Sequence, residues 1–236
     1  MADVAIITPT RGRPARLREM IFSALTLAST ASFEFWIGID DDDDESDYAS
    51  VVDDAFAAGA DMYVQRLPRR SLSSWTNWLA GRCLAADHAP QYLISMGDDH
   101  VVRTRGWDKA LIEAIDEQEG PGFAYGNDLF QGVGLPTAWM VHADAVRALR
   151  WMMLPACEHM YVDNAIKALG EAAGRLAYLP SVIIEHVHPN AGKTQRDASY
   201  EQSNRREQYA RDGAAFEAWR DGQMARDAAT LSALKY

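Results

Sequence analysis

The 236-residue chain has little cysteine, no surplus of positive charge and no long apolar run. Its two cysteines, Cys83 and Cys157, lie far apart and offer no paired spacing for a disulfide framework, a zinc site or a redox motif. Reduced thiols in a cytoplasmic compartment are the simple expectation. Lys and Arg number 23 against 34 Asp and Glu, for a net charge of −11 with histidines neutral. That balance disfavours a phosphate-tracking face and so disfavours nucleic acid as partner, while leaving room for a local basic pocket around a small anion. No stretch approaches the roughly 20 apolar residues of a membrane span. The Met-Ala-Asp start has no basic segment leading into an apolar one, so no secretory leader is expected. Phosphate-loop, Gly-x-Gly-x-x-Gly, Gly-x-Ser-x-Gly and His-Glu-x-x-His patterns are all missing, as are internal repeats and linkers.

What is present is an alternation of short apolar runs with helical periodicity. Residues 3–9, 33–39, 61–65 and 91–96 read as strands; Pro14 onward, 47–58 and 74–87 read as helices. This order predicts a mostly parallel sheet covered by helices, whose ligands gather at the strands' carboxyl ends. Those ends carry Pro9-Thr10-Arg11, the acidic run Asp40 to Asp44, and Gly97-Asp98-Asp99. The second half is less regular: helices at 105–118, 143–152 and 159–172, strands at 122–127, 137–142 and 181–188, and a polar helical stretch at 196–234. The expected organisation is one α/β domain over 1–195 with a helical C-terminal extension over 196–236.

Adjacent carboxylates such as Asp98 and Asp99 repel one another unless a cation, hydrogen-bond donors or water compensates. A hard divalent ion bridging to phosphate oxygens is one solution; a solvated turn is the other. The run from Asp40 fails as an EF-hand loop, because Glu45 stands at the glycine position and Val51 at the bidentate glutamate position. Arg11, directly after the first strand, suits phosphate or base recognition through its planar fork. His186 and His188 share one face of a strand, and one imidazole fits as a ligand beside Asp99. Asp163, with Glu158 nearby, is a candidate base, although an acid at a helix start also serves as a dipole partner.

Taken in order, these pieces resemble the GT-A glycosyltransferases, especially the family-two-like group. The resemblance rests on Val-Ala-Ile-Ile-Thr-Pro-Thr-Arg-Gly-Arg-Pro, the acidic end of strand two, Tyr-Leu-Ile-Ser-Met-Gly-Asp-Asp-His, Tyr-Val-Asp-Asn-Ala-Ile and Ile-Ile-Glu-His-Val-His-Pro. It implies a GT-A, Rossmann-like α/β fold and transfer of a sugar from a nucleotide-diphosphate donor, UDP-sugar favoured, to an acceptor hydroxyl. Pro9, Thr10, Arg11, Asp40, Asp41 and Asp98 would line the nucleotide pocket. Asp99 with His186 or His188 would hold Mn2+ or Mg2+, and Asp163 or, second, Glu158 would act as base in an inverting reaction. Asp128 and Trp139 would meet donor sugar or acceptor. Two departures weaken the carry-over: Gly97 stands where the family's first metal-motif aspartate would, and Val162 replaces the glutamate before the base. The acceptor stays open among a glycan, a protein side chain and a lipid-linked sugar. The tail is expected to cover the sheet, close over the site or form a dimer contact. Two other readings stand beside this one: a binding module that lost activity, and a metal-dependent nucleotidyltransferase.

Overall fold

The structure, a computed structural model, describes residues 3–29, 32–44, 46–195 and 205–236, without the side chains of Ser46 and Asp47. Strand β1 (Val4–Thr10) lies between β2 (Phe33–Asp40) and β4 (Tyr92–Ser95), parallel to both, and β3 (Asp61–Leu67) extends the ladder beyond β2. The crossovers are α1 (Pro14–Leu27), α2 (Ser46–Ala57) and α3 (Leu72–Leu84). Every residue of β2 is buried, as a central strand covered by helices on both faces requires. Side chains of β1 alternate between two cores. Val4 and Ile6 face the layer of α1, α2 and α4 (Trp107–Asp116), whereas Ala5 and Ile7 face α3 and the helices that follow.

Beyond β4 the sheet continues through β7 (Trp139–His142), antiparallel, then β6 (Phe123–Asn127) and β8 (Leu176–His186), which are parallel to each other. The short strand β5 (His100–Val102), for which the periodicity held no sign, pairs antiparallel with the end of β8. Strand β8 starts at Leu176, five residues before the expected position, because the chain pairs with β6 ahead of a register shift at Gly126/Asn127. Helix α5 (Ala143–Leu149) stops short of residue 152 because Arg150 adopts a left-handed conformation, φ 64°. The helix expected from 159 begins at Val162 as α6 (Val162–Ala173), leaving 158–161 as a turn.

Of the C-terminal extension, 196–204 lies outside the described residues. The remainder forms α7 (Arg206–Gly222) and α8 (Met224–Ser232), both packed on α6. Trp219, Ala228 and Leu231 enter the same core cluster as Leu169 of α6 and Val141 of β7. Leu231 is fully buried, so Leu231→Ala is expected to cost about 3 kcal/mol and roughly 6–12 °C in Tm, measured by thermal unfolding. An unchanged Tm would show that α8 is peripheral to the core. Among the described residues no helix is long and apolar enough to cross a membrane.

Candidate active site

A cavity of about 580 Å³ opens at the carboxyl ends of β1, β2 and β4, closed on the far side by β8 and the turn before α6. At one end Thr10 donates a hydrogen bond from Oγ1 to Asp98 Oδ2 at 2.7 Å, and Arg13 Nη1 donates to Asp98 Oδ1 at 3.2 Å. Burial and the neighbouring Asp99 still push Asp98 up to about 6, so these two donors only partly offset its desolvation. Arg11 donates to Asp40 Oδ2 at 3.0 Å and grips Asp42 with both terminal nitrogens. Trp75 Nε1 donates to Asp40 Oδ1 at 2.8 Å. That indole lies against Gly38, where a Cβ would come within 2.7 Å of the ring, so the glycine makes room for the bond. Pro9, Arg69 and Arg70 complete this end of the cavity. Asp41 does not join it: the residue is exposed, with its backbone tied to Leu67 and Arg66.

The centre holds Asp99, His100 and His186, each offering one ligand atom within 4.8 Å of the others. Asp99 Oδ2 lies 3.4 Å from His186 Nε2, and Asp99 Oδ1 lies 3.3 Å from His100 Nδ1. Pairing of β5 with β8 sets His100 opposite His186, and the two imidazoles stack with centroids 4.4 Å apart. His100 is buried, and among the described residues neither of its ring nitrogens has a hydrogen-bond partner of acceptable geometry; His186 Nδ1 also lacks one there. Unsatisfied buried nitrogens are costly, and a carboxylate with two imidazoles is a donor set that a divalent transition ion satisfies. The residues therefore fit a metal. Burial pulls the proton affinity of Asp99 up, but the two imidazoles override it and hold the carboxyl well below its ordinary range. His186 is shifted down by burial and by His100, while Asp99 outweighs burial at His100 and raises it.

His188 stands beside this group rather than in it. Its Nδ1 accepts from Asn190 N at 3.2 Å, and its ring stacks on Phe130. Burial and His186 push it down to about 4, so it is neutral near pH 7.

Asp163 lies in the first turn of α6 and lines the cavity with no hydrogen bond to its carboxylate among the described residues. Desolvation pushes it up to about 7, opposed by His100 and assisted by Asp128 and Asp99. Glu158, the second choice for base, is not brought to the cavity: its half-exposed side chain points to α7 and pairs with Arg211. Trp139 is fully buried at the sheet's centre, edge-on to Phe123, so its ring cannot reach an acceptor. Asp128 is also buried and already engaged. It accepts from the backbone N–H groups of Phe130, Gln131 and Gly132 and from Thr137 Oγ1, and so holds the 128–137 loop at the cavity rim. Sequence reasoning missed His100, whose only signal was its place directly after Asp98-Asp99, and His159, which lines the cavity from the turn before α6.

No protein-family model and no curated relative matches the sequence. Solved structures do match. A mannosyltransferase of Pyrobaculum calidifontis, PcManGT, solved with GDP-Man and Mn2+, is 10% identical with a TM-score of 0.60, over 98% of this chain and 73% of that one. S. aureus TarS 1–349 with UDP-GlcNAc is 11% identical with a TM-score of 0.66, over 97% and 70%. Glucosyl-3-phosphoglycerate synthase from Mycobacterium tuberculosis, solved with Mn2+, UDP and phosphoglyceric acid, is 11% identical with a TM-score of 0.60, over 94% and 79%. Spanning almost the whole chain, this likeness shows that the protein adopts the GT-A fold.

Proposed function

We propose that the protein is a metal-dependent glycosyltransferase that moves a sugar from a nucleoside-diphosphate sugar, with UDP the favoured nucleotide, to an acceptor hydroxyl with inversion. The observation that carries this reading is the convergence of Asp99, His100 and His186 beside the Asp163 carboxylate in one cavity. The fold neighbours supply the class of ligand, having been solved with UDP, UDP-GlcNAc or GDP-Man, two of the three also with Mn2+.

In this reading Pro9, Thr10, Asp40 and Trp75 form the nucleoside end, with Arg11 and Arg13 positioned toward the diphosphate. Asp99, His100 and His186 would hold a divalent ion, and two imidazoles favour Mn2+ over Mg2+. When bound, that ion would act as a Lewis acid toward the leaving diphosphate. Asp163 takes the acceptor's proton as the acceptor oxygen bonds to the anomeric carbon; the bond from that carbon to the diphosphate breaks, releasing the nucleoside diphosphate. A carboxylate whose proton affinity is raised toward neutrality suits that role better than one near 4. The acceptor is a glycan, protein or lipid-linked hydroxyl, and the compartment is cytoplasmic, where the buried, unpaired Cys83 and Cys157 stay reduced.

Calorimetry with UDP, GDP, CDP, ADP and dTDP, each with and without Mn2+, tests the donor site. Tight binding of one diphosphate that requires the metal is the expected outcome. No binding of any of them to the folded protein would sink the reading.

A further inference from the structure

The tail, whose role sequence reasoning left open, reaches the turn that walls the cavity through one buried carboxylate. Asp212 of α7 is 1% exposed. Its Oδ1 accepts from Glu158 N at 3.1 Å, and its Oδ2 accepts from His159 N at 2.9 Å, Met160 N at 2.8 Å and Gln208 Nε2 at 2.7 Å. Three consecutive backbone N–H groups converging on one carboxylate form an anion-binding concavity built by the turn itself. Burying this charge is costly unless every lone pair has a donor, so the turn and the helix are held in register. The same face of α7 carries two further contacts. Gly213 leaves space for the Tyr161 ring, which a Cβ there would approach to 3.2 Å, and Phe216 stacks on that ring. Tyr161 itself is left-handed, φ 62°, a conformation that costs about 1–3 kcal/mol for a non-glycine residue and persists where surroundings impose it.

This turn is also the cavity wall: residues 159–164 all line it, ending in the first turn of α6 with Asp163. We propose that Asp212 is a positioning residue, fixing the 158–161 turn and through it the placement of the Asp163 carboxylate against the acceptor. The inference rests on Asp163 acting as base. It assigns α7 a role in turnover, whereas the donor end is built from β1, β2 and the Gly97–Asp99 segment, which Asp212 does not touch.

The test is steady-state kinetics on Asp212→Asn, Asp163→Asn and the double variant in the full-length protein, with circular dichroism and Tm as fold controls. Misplacing a catalytic group by about 1 Å can lower turnover about 100-fold. Asp212→Asn is therefore expected to lower kcat 10- to 100-fold, with donor KM and nucleoside-diphosphate Kd within about twofold of wild type. In the Asp163→Asn background it should add less than about threefold, because it acts through the group already removed. Unchanged kcat, equal losses in donor affinity and kcat, or full additivity would each overturn the inference. Should Asp212→Asn fail to fold, Gln208→Ala, which removes one donor to the same carboxylate, is expected to show the same split at smaller size. Its absence there would count equally against the proposal. A wild-type protein that transfers no sugar would instead sink the functional reading, and native-state hydrogen exchange at residues 158–160 would then still report whether Asp212 holds the turn.

Discussion

Replacing Asp163 by asparagine is expected to lower kcat for transfer by roughly 100- to 10,000-fold while leaving nucleoside-diphosphate affinity unchanged. The side chain keeps its size, so the cavity keeps its shape; what is lost is the ability to accept a proton. The pH dependence follows from the same environment. Desolvation places the carboxyl at about 7 in the metal-free protein, so its basic form, and with it kcat, should rise as pH increases through that value. A bound cation favours the carboxylate and moves this limb to lower pH. Stability should run the opposite way. The folded state holds the Asp163 proton more tightly than the unfolded chain, so this group's contribution is fully present below about pH 4 and is lost as pH rises toward 7. Asp163→Asn removes that loss, and its Tm should exceed the wild-type value at pH 8. A variant that keeps its turnover and its acidic limb would rule out Asp163 as base.

That exchange of stability for chemistry is typical of a functional site, and it bears on what could be read before the structure. The ladder from β1 to β4 was legible because each strand is a short apolar run, each crossover helix has a periodic face, and each strand ends in polar residues. That Asp98, Asp99, Asp163 and His186 would lie around one cavity was legible for the same reason, since strand ends and helix starts meet at the carboxyl edge of such a sheet. His100 was not. It became a neighbour of His186 only through β5, a three-residue strand whose pairing partner is more than 80 positions away. Glu158 shows the reverse error: closeness to Asp163 in sequence suggested a shared site, but the intervening left-handed Tyr161 and Arg211 of α7 direct it elsewhere. Trp139 and Asp128 were both given ligand roles that the chain itself occupies. One fills the sheet's centre, and the other satisfies the backbone donors of its own loop. Long-range contacts decided the cases of His100, Glu158 and Trp139, and local pattern carries no information about them; Asp128 was decided within its own loop.

The donor set at the cavity's centre yields the other large effect. Asp99→Ala should abolish metal-dependent nucleotide binding, weakening Mn2+ by at least about 100-fold, because loss of a carboxylate ligand removes several kcal/mol of charge interaction. His100→Ala and His186→Ala should each weaken Mn2+ as well. They should also narrow its advantage over Mg2+, because the remaining donors are then richer in oxygen, the ligand Mg2+ prefers. Calorimetric titration of each variant with the two ions separates these effects from turnover. The affinity of the intact site should rise with pH: Asp99 raises His100, so a proton competes for that imidazole, and binding must release it. His188→Ala is the control, since its ring nitrogen already serves the backbone of Asn190 and its ring packs on Phe130. Equal loss of metal in His188→Ala and His100→Ala would mean that His188, whose ring lies 4.7 Å from that of His186, also holds the ion, and that Asp99, His100 and His186 are not the whole donor set.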